Sequence, residues 1–440
     1  MFYLEMLMML VIIYFGIRFG GVALGLLGGL GVTLLVFIFG LVPGKPPVDV
    51  MLIILAVVTT SATLEATGAL NLIVRMAEKV LRKNPKYVVF LAPVSTFALT
   101  MLVGTGHACY PLLPVIYDVS YRQGIRPERP MAISSVAAQM GITASPIAAA
   151  AAAVIGVSAK AGVHIGLIEI LRVTIPAGVI GMLLAALWSM NRGKDLNKDP
   201  EYLAKMQDPE MRKFIEGEMA TTLHDKVSKE AKTSLTVFIA AIVAIVLLAI
   251  FPNLLPLDNG KPISMSIVIQ FVIFAAGAVI LFLTKVKPKS ISDSKVFNAG
   301  MIAVIMIFGI AWMSDTVIEG NKPYIISLIS SMVKAHPWTF AMAMFFFSAF
   351  LKSQAATLIV MLPLGFALGV PVPVIIGCIP ASYAYFFFCF YPSDLAAINF
   401  DRTGTTHIGK YILNHSFMIP GLIGVISATI IAYFLSVYVY

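Results

Sequence analysis

Charged residues are scarce in this sequence. Lysine, arginine, aspartate and glutamate make up 12% of its 440 residues, whereas hydrophobic residues make up 59%. A soluble globular domain carries about twice that share of charge, so the composition excludes a soluble fold. It predicts an all-α polytopic membrane protein, because each crossing of a bilayer by a helix needs about 20 mainly apolar residues.

Cysteines and clustered metal ligands are scarce as well. The three cysteines, Cys109, Cys378 and Cys389, are odd in number and lie in apolar runs, which favours buried thiols over a disulfide framework. The histidines are scattered, and no activated nucleophile is recognisable. We therefore expect no metal, no cofactor and no enzyme activity. The net charge of +9 lies in short loops, where it marks membrane topology rather than nucleic-acid binding.

Apolar segments of spanning length recur along the chain. They predict about ten transmembrane helices, near residues 4–18, 21–41, 49–70, 131–155, 165–190, 234–251, 264–284, 297–314, 372–391 and 412–438. Two further apolar runs, 87–120 and 338–370, are each cut near the centre by polar residues. We expect each to form a re-entrant helical hairpin, since a broken helix at membrane depth is tolerated only inside protein or beside a wet cavity.

The lysines and arginines of the loops predict a topology. Loops 42–48, 156–164, 252–263 and 315–337 hold one or two lysines each, whereas the loops between them hold basic clusters. The two kinds of loop fall on opposite sides of the membrane only if both interrupted runs turn back. Because basic loops stay inside, the loop 191–232 is expected in the cytoplasm and both termini in the periplasm.

Each half of the chain contains three spans, a hairpin and two more spans. Since five crossings is an odd number, the second half (233–440) must be inserted upside down relative to the first (1–190). The segment 191–232, with balanced charge, then forms a solvated and partly helical linker. Inverted repeats with broken helices near the midplane are typical of secondary transporters.

Four interruptions are visible: two hairpin tips, and one break in the helix that follows each hairpin. The tips are Gly104-Thr105-Gly106-His107 and Lys352 to Thr357, and the breaks are Ser145-Pro146 and Pro392-Ser393-Asp394. Proline removes a backbone donor and opens the helix. The exposed N–H groups, at the positive end of a half-helix, favour anions. The pattern predicts two anion-binding jaws, which suit a substrate with two separated negative groups.

The candidate substrate-binding residues all lie at these interruptions. Hydroxyl groups and the Gln354 amide supply donors beside the exposed backbone. The set is Gly104, Thr105, Gly106, His107, Ser145, Pro146, Lys352, Ser353, Gln354, Thr357, Pro392, Ser393 and Asp394. Close helix packing by small residues explains a single Gly-Thr-Gly, but it does not explain four interruptions in matching order.

Four ionisable residues have alternative roles. Lys352 either pairs with a carboxylate or extends to the membrane surface. Asp394 is favoured as a cap of the half-helix that begins beside it; otherwise it carries a coupling proton or orients a substrate amine. His107 carries a proton, binds a carboxylate or braces the tip as a neutral ring. Glu65, in the third span, is either a proton carrier or a structural acid with a partner.

Several stretches together resemble one known family. They include Gly104-Thr105-Gly106-His107, residues 83–87, 124–127, 142–147 and 353–356, and, most specifically, Tyr391-Pro392-Ser393-Asp394-Leu395-Ala396 continuing through residues 400–409. The chain resembles the anaerobic C4-dicarboxylate transporters of the Dcu type, DcuA/DcuB branch, from Leu4 nearly to Tyr440.

This resemblance implies a bacterial inner-membrane exchanger of fumarate, succinate, malate and aspartate, working by alternating access in anaerobic respiration. It also implies membership of the ion-transporter superfamily, whose members share inverted repeats and often form dimers. A homodimer and a sensor-kinase partner are therefore both compatible with the resemblance. The residues alone leave open a sodium- or proton-coupled anion symporter and a passive channel. An intramembrane enzyme using His107 with Asp394 or Glu65 is disfavoured, because the interruptions are duplicated.

Overall fold

The computed structural model describes residues 1–19, 22–46, 48–217, 221–223, 227–258, 260–388, 391–409 and 414–439, and these are mostly helical. The helices up to residue 190 are α1 Phe2–Phe19, α2 Ala23–Phe37, α3 Val48–Ala66, α4 Ala69–Lys83, α5 Val88–Val103, α6 Leu113–Arg122, α7 Glu128–Met140, α8 Ala149–Lys160 and α9 Leu167–Ser189. Two short helices follow in the segment 191–232, α10 Pro200–Gln207 and α11 Pro209–Glu216.

The remaining helices begin at Lys229. They are α12 Lys229–Ile250, α13 Met265–Thr284, α14 Pro288–Ser292, α15 Lys295–Ala335, α16 Thr339–Leu351, α17 Gln354–Ala367, α18 Val372–Cys378, α19 Pro392–Phe400 and α20 Met418–Val439. Short 3-10 helices lie at Pro85–Tyr87, Gly106–Leu112, Leu196–Lys198, Pro252–Leu254, Ile379–Ser382 and Tyr385–Phe388. Two strands, β1 Leu257–Asp258 and β2 Lys261–Pro262, form a small antiparallel hairpin.

Six helical segments in the described ranges are long and apolar enough to cross a membrane, judged by length and composition. The number rises to eight if each of two bent helix pairs counts as one span. The chain is therefore an all-helical, multi-pass membrane protein, as the composition predicts. The expected total of about ten spans, the two hairpins and the inverted repeats remain predictions.

The segment after the third expected span differs from the prediction. The sequence suggests a span at 49–70 followed by a basic loop. Instead α3 ends at Ala66, Gly68 adopts a left-handed conformation with φ of 77°, and α4 continues as a helix bent by 73° from α3. Glycine permits this turn without a steric penalty. The basic residues Arg75, Arg82 and Lys83 thus lie on an amphipathic helix, which the hydropathy of a spanning window does not detect.

Two more predicted spans differ in their bounds. The helix expected at 297–314 is α15, which runs on to Ala335 through what looked like a loop, with Pro323 inside it. The span expected at 412–438 begins as helix at Met418, and residues 412–413 lie outside the described ranges. Cys109 and Cys378 are free, buried thiols, as expected, and Cys389 lies outside the described ranges.

Glycines bring the helices of the core into close contact. In one crossing, a Cβ added to Gly28 of α2 would lie 2.4 Å from the carbonyl carbon of Gly309 in α15. In another, a Cβ on Gly181 of α9 would lie 2.5 Å from the carbonyl oxygen of Gly424 in α20. Such close approach is typical of helix packing in membranes, where small residues let backbones meet. Each crossing joins a helix of the first half to one of the second.

The linker is docked onto the membrane helices by charged hydrogen bonds. Arg126, in the loop before α7, donates to the carboxylates of both Glu128 and Asp199. Asp199 also caps α10 by accepting from the backbone N–H groups of Glu201 and Tyr202. Burial raises the pKa of the Asp199 carboxyl, but the hydrogen bonds from Arg126 and the backbone outweigh it and hold that pKa below its usual range.

This pair predicts an acid-sensitive linker. A depressed pKa in the folded state contributes stability that is present above the unfolded pKa of about 4 and is lost as pH falls through the folded pKa. At neutral pH, D199N keeps the cap but loses the ion pair, so amide hydrogen exchange across α10 should rise about tenfold. The matched control is D208N, because Asp208 caps α11 in the same way and is exposed. Equal amide hydrogen exchange across α10 in the two variants would contradict the proposed role of the ion pair between Arg126 and Asp199.

Candidate substrate-binding site

The first tip opens through a glycine and a capping threonine. Gly104 ends α5 in the left-handed region with φ of 81°, and its N–H donates to Thr100 O at 2.7 Å. Thr105 is extended, and its Oγ1 accepts from the backbone N–H of His107 at 3.4 Å and lies 3.0 Å from His107 Nδ1. The chain then enters the 3-10 helix at Gly106. This sequence of backbone conformations exposes the start of a half-helix.

The second tip has the same backbone conformation. Lys352 ends α16 in the left-handed region with φ of 51°, and Ser353 is extended, with its Oγ accepting from the N–H of Ala356 at 3.3 Å. Lysine occupies the position that glycine holds at the first tip. A residue with a Cβ pays about 1 kcal/mol or more for this conformation. Thr357 Oγ1 donates to Ser353 O at 2.8 Å, so its hydroxyl proton is used within α17.

Both helices that follow the tips are interrupted, and the first break lies at the predicted proline. The second prediction is wrong in its bounds, because the helix expected at 372–391 ends at Cys378, well before Pro392. In the first half, α7 ends at Met140 and α8 begins only at Ala149, with Ser145 and Pro146 buried between them. In the second, α18 ends at Cys378, two 3-10 segments follow, and α19 begins at Pro392, which is exposed. Residues 389–390 of this break lie outside the described ranges.

One residue that the sequence did not single out, Gln139 of α7, connects three of the interruptions. Its Nε2 donates to Ser393 Oγ at 3.2 Å, its Oε1 accepts from Tyr385 OH at 2.8 Å, and its backbone oxygen accepts from Gln354 Nε2 at 2.7 Å. The last carbonyls of a helix lack partners within that helix, and the Gln139 oxygen accepts both from the backbone N–H of Ile142 at 3.2 Å and from the Gln354 amide of the second tip. Gln139 is fully buried, and its hydrogen bonds join the two halves of the chain.

The first tip also touches Gln139. A Cβ added to Gly106 would lie 2.4 Å from Gln139 Nε2 and 2.6 Å from both Cδ and Oε1. Since heavy atoms cannot approach so closely, any residue other than glycine at this position would force the Gln139 amide to move. Gly104 in turn packs on the segment around Ser145, because a Cβ there would lie 3.1 Å from Ile147 Cγ1. All four interruptions therefore meet in one region.

Asp394 does not cap α19, so the favoured prediction for its side chain is wrong. Tyr391 holds the capping position and, within the described part of the chain, no side chain caps this end. The Asp394 Oδ1 atom instead accepts from Ser135 Oγ of α7 at 2.6 Å, and Ser135 Oγ lies 3.0 Å from Ser393 Oγ. Asp394 is the third residue of α19, within its first turn, and its carboxylate faces Ser135 in the first half of the chain instead of the end of its own helix.

Several buried polar atoms in this region have no hydrogen-bond partner among the described residues. They are Gln354 Oε1, Asp394 Oδ2, Tyr110 OH and Tyr383 OH. Such atoms carry a desolvation penalty unless a ligand or water satisfies them. Aromatic rings surround them: His107 contacts Tyr110 and Tyr391, with ring centroids 5.4 and 6.2 Å apart. The region is thus polar, enclosed and incompletely satisfied.

The structure places Glu65 in a different environment. Its Oε2 accepts from the backbone N–H of Val296 at 2.9 Å, at the first turn of α15. A carboxylate at this end of a helix is stabilised by the positive dipole end. Glu65 therefore has the partner expected of a structural acid, and the hydrogen bonds described around Gln139 do not include it. Its role in coupling remains a prediction.

The sequence did not predict Ser135, Gln139 or Tyr385 as site residues, and Tyr391 appeared only within the family motif. Ser135 and Gln139 are four residues apart in α7, so they lie on one face of the helix. Two polar residues on one face of the mainly apolar part of α7, after its charged first turn, are a usable signal, because such residues in membrane spans mark bundle interiors. The two tyrosines lie in an aromatic-rich stretch whose pattern gives no such signal.

The arrangement suits binding rather than bond-breaking. It brings together hydroxyl, amide and phenol groups at opened helix ends, and helix N-termini favour negative groups. Within the described ranges, no three His, Cys, Asp or Glu side chains lie close enough to hold a metal ion. Interrupted helices meeting inside a multi-pass helical protein, with a polar enclosed region between two halves, define a membrane transporter.

Comparison with known proteins identifies the family. The chain belongs to the anaerobic C4-dicarboxylate membrane transporter family, whose model matches residues 1–440. It is 47% identical to the anaerobic C4-dicarboxylate transporter DcuB of Escherichia coli O6:H1, over 97% of this chain and 96% of that protein. It is 36% identical to the C4-dicarboxylate transporter DcuA of Wolinella succinogenes, over 96% of each. The protein is thus a transporter and not an enzyme.

Solved structures share the fold at low sequence identity. The YdaH transporter of Alcanivorax borkumensis superposes with a TM-score of 0.60 at 14% identity, covering 88% of this chain and 84% of that one. MtrF of Neisseria gonorrhoeae gives 0.53 at 13% identity, covering 92% and 84%. These likenesses concern the fold alone. With the apolar helices, family membership indicates a multi-pass protein of the bacterial inner membrane.

Proposed function

We propose that the protein exchanges C4-dicarboxylates, namely fumarate, succinate, malate and aspartate, across the inner membrane by alternating access. The observation that carries this proposal is the meeting of all four interruptions around Gln139. A site built from both halves of the chain can change its exposure when one half moves against the other. The names of the relatives supply the substrate class, and the choice among the four substrates comes from the family resemblance.

The opened helix ends supply the donors for two carboxylates. Ser353 Oγ accepts from the N–H of Ala356 and Ser393 Oγ accepts from Gln139 Nε2, so the O–H group of each serine is able to donate to substrate. One carboxylate would bind at the start of α17, beside Lys352 and Ser353, and the other at the start of α19, beside Ser393. Thr105 and His107 at the first tip, with Ser145 and Pro146 behind it, complete the proposed site.

The proposed architecture has two inverted repeats, 1–190 and 233–440, joined by the cytoplasmic linker 191–232. Its hairpins are 87–120 and 338–370, and both termini lie in the periplasm. The matching backbone of the two tips supports this arrangement, because each tip has a left-handed residue followed by an extended capping residue. The resemblance to the anaerobic C4-dicarboxylate transporters also suggests a homodimer and a sensor-kinase partner.

A sodium- or proton-coupled dicarboxylate symporter on the same scaffold is the second candidate function. The buried Asp394 favours it, because its Oδ2 has no hydrogen-bond partner among the described residues. A buried carboxylate oxygen of this kind would hold a proton or a cation. His107 and Glu65 are the other coupling candidates.

Exchange is tested in reconstituted vesicles. Vesicles loaded with succinate should take up labelled fumarate severalfold faster than empty vesicles, because outward transport of succinate returns the empty site. Vesicles loaded with the same concentration of butyrate, a monocarboxylate, are the control. Equal uptake in all three would overturn the exchange proposal. Uptake into empty vesicles that depends on an imposed sodium or proton gradient would establish the symporter in its place.

A further inference from the structure

Helix α4 has one face buried in the protein and one face turned outward. Leu70, Ile73, Val74 and Leu81 are buried, and so is Glu78 between them. The inward polar groups are paired: Arg82 binds Glu78 at 2.7 Å and Asp118 of α6 at 3.0 Å. Thr222 of the linker donates to the other oxygen of Glu78. The inner face therefore fixes α4 against the first hairpin.

The outer face combines lysines with apolar side chains. Lys79 and Lys83 are exposed, as are Met76 and Val80, of which 57% and 46% of the surface is accessible. Met76 lies three and four residues before Lys79 and Val80, and Lys83 lies four and three residues after them, so the four share one face of the helix. The face continues past the end of α4 into Lys86 and Tyr87, which are also exposed. We find no ion pair for the three lysines among the described residues.

The bend determines where this face lies. Because α4 departs by 73° from the axis of α3, it runs close to the membrane plane if α3 crosses the bilayer. A helix in that position has apolar residues and lysines on its free face. Its apolar side chains are buried at the boundary between the headgroups and the acyl chains. The lysine stems lie along the apolar layer and their ammonium groups reach the phosphates. A peripheral protein partner would not require apolar side chains and lysines to be interspersed on the same face.

We propose that Lys79, Lys83 and Lys86 form a binding surface for anionic phospholipid headgroups of the cytoplasmic leaflet. Met76, Val80 and Tyr87 anchor this surface at the acyl boundary. The proposal rests on the topology given above, in which this end of α3 faces the cytoplasm, and does not depend on the substrate. Since the inner face of α4 is bonded to α6, a bound lipid would hold the helix that supports the first hairpin.

Lipid binding is measured on the full-length protein in neutral detergent with pyrene-labelled phosphatidylglycerol, and with pyrene-labelled phosphatidylcholine as the uncharged probe. In K79Q/K83Q/K86Q the preference for the anionic probe over the uncharged one should fall about tenfold or more, because each lysine near an anionic headgroup adds its own contribution to binding. The matched control is K194Q/K198Q/K213Q, which removes the same charge from exposed positions of the linker. This control should keep the wild-type preference.

The proposal would be overturned if the two triple variants lost the preference for the anionic probe equally, or if neither variant lost it. It would also be overturned if millimolar inorganic phosphate displaced the anionic probe, since this would indicate a simple anion site. If the triple variant does not purify as a monodisperse protein, single K79Q and K83Q variants provide the same test with a smaller expected loss. K79R/K83R/K86R should retain the preference, since it keeps the charge.

Discussion

A G106A variant should lose about nine tenths or more of its dicarboxylate uptake while still inserting in the membrane. The added Cβ would lie 2.4 Å from Gln139 Nε2, so the amide must move and its hydrogen bonds to Ser393 and Tyr385 must break. Inserting a methyl group into a packed site costs about 1–3 kcal/mol, and about 1.4 kcal/mol corresponds to tenfold. Initial rates of labelled fumarate uptake in succinate-loaded vesicles measure the effect.

The matched control is G29A. Gly29 lies in α2, where an added Cβ meets nothing within 4 Å, and alanine is the better helix former. G29A should therefore transport as the wild type does. If G106A transports equally well, the contact between the first tip and Gln139 is not needed for function.

A Q139L variant should have the second large effect, on both stability and transport. Leucine has a similar size but leaves Tyr385 OH without its acceptor and Ser393 Oγ without the amide N–H that donates to it. Leaving buried polar groups unsatisfied costs about 1–3 kcal/mol each, so we expect the free energy of unfolding to fall by about 2–4 kcal/mol. Thermal unfolding in detergent and vesicle uptake measure the two losses.

Q207L is the control for Q139L, because Gln207 is exposed at the end of α10. A double-mutant cycle then links the two predictions. Q139A removes the amide that collides with the new methyl group, so G106A/Q139A should transport no worse than Q139A alone. Additive losses in the cycle would show that Gly106 and Gln139 act separately.

The interruptions of the helices were predictable, whereas two helices were not. Pro146, Pro392 and Gly104 each weaken a continuing helix locally, and each stands beside polar residues within an apolar run, although a proline alone is accommodated inside α15. Helix α4 and the second part of α15 depend on packing against other helices, and their sequences resemble basic or polar loops. A spanning-length window detects apolar helices that cross the bilayer and overlooks amphipathic ones that lie along its surface.

For the candidate site, the sequence identified positions on the exposed backbone but not the side chains that connect them. Gln354, Ser393 and Asp394 were included because they stand next to a break in the chain. Gln139 and Ser135 were not, because their importance arises from contacts more than 200 residues away along the chain. Asp394 was assigned to a local cap for the same reason: the sequence shows the nearby helix end and does not show Ser135.

The most direct test of the account is an experimental structure of the protein with fumarate bound. We expect density for the substrate between the starts of α17 and α19, with one carboxylate within hydrogen-bond distance of Ser353 Oγ and the other within that distance of Ser393 Oγ. The hydrogen bonds of Gln139 should join the two halves around it. Density for fumarate at any place away from these four interruptions would contradict the proposed site.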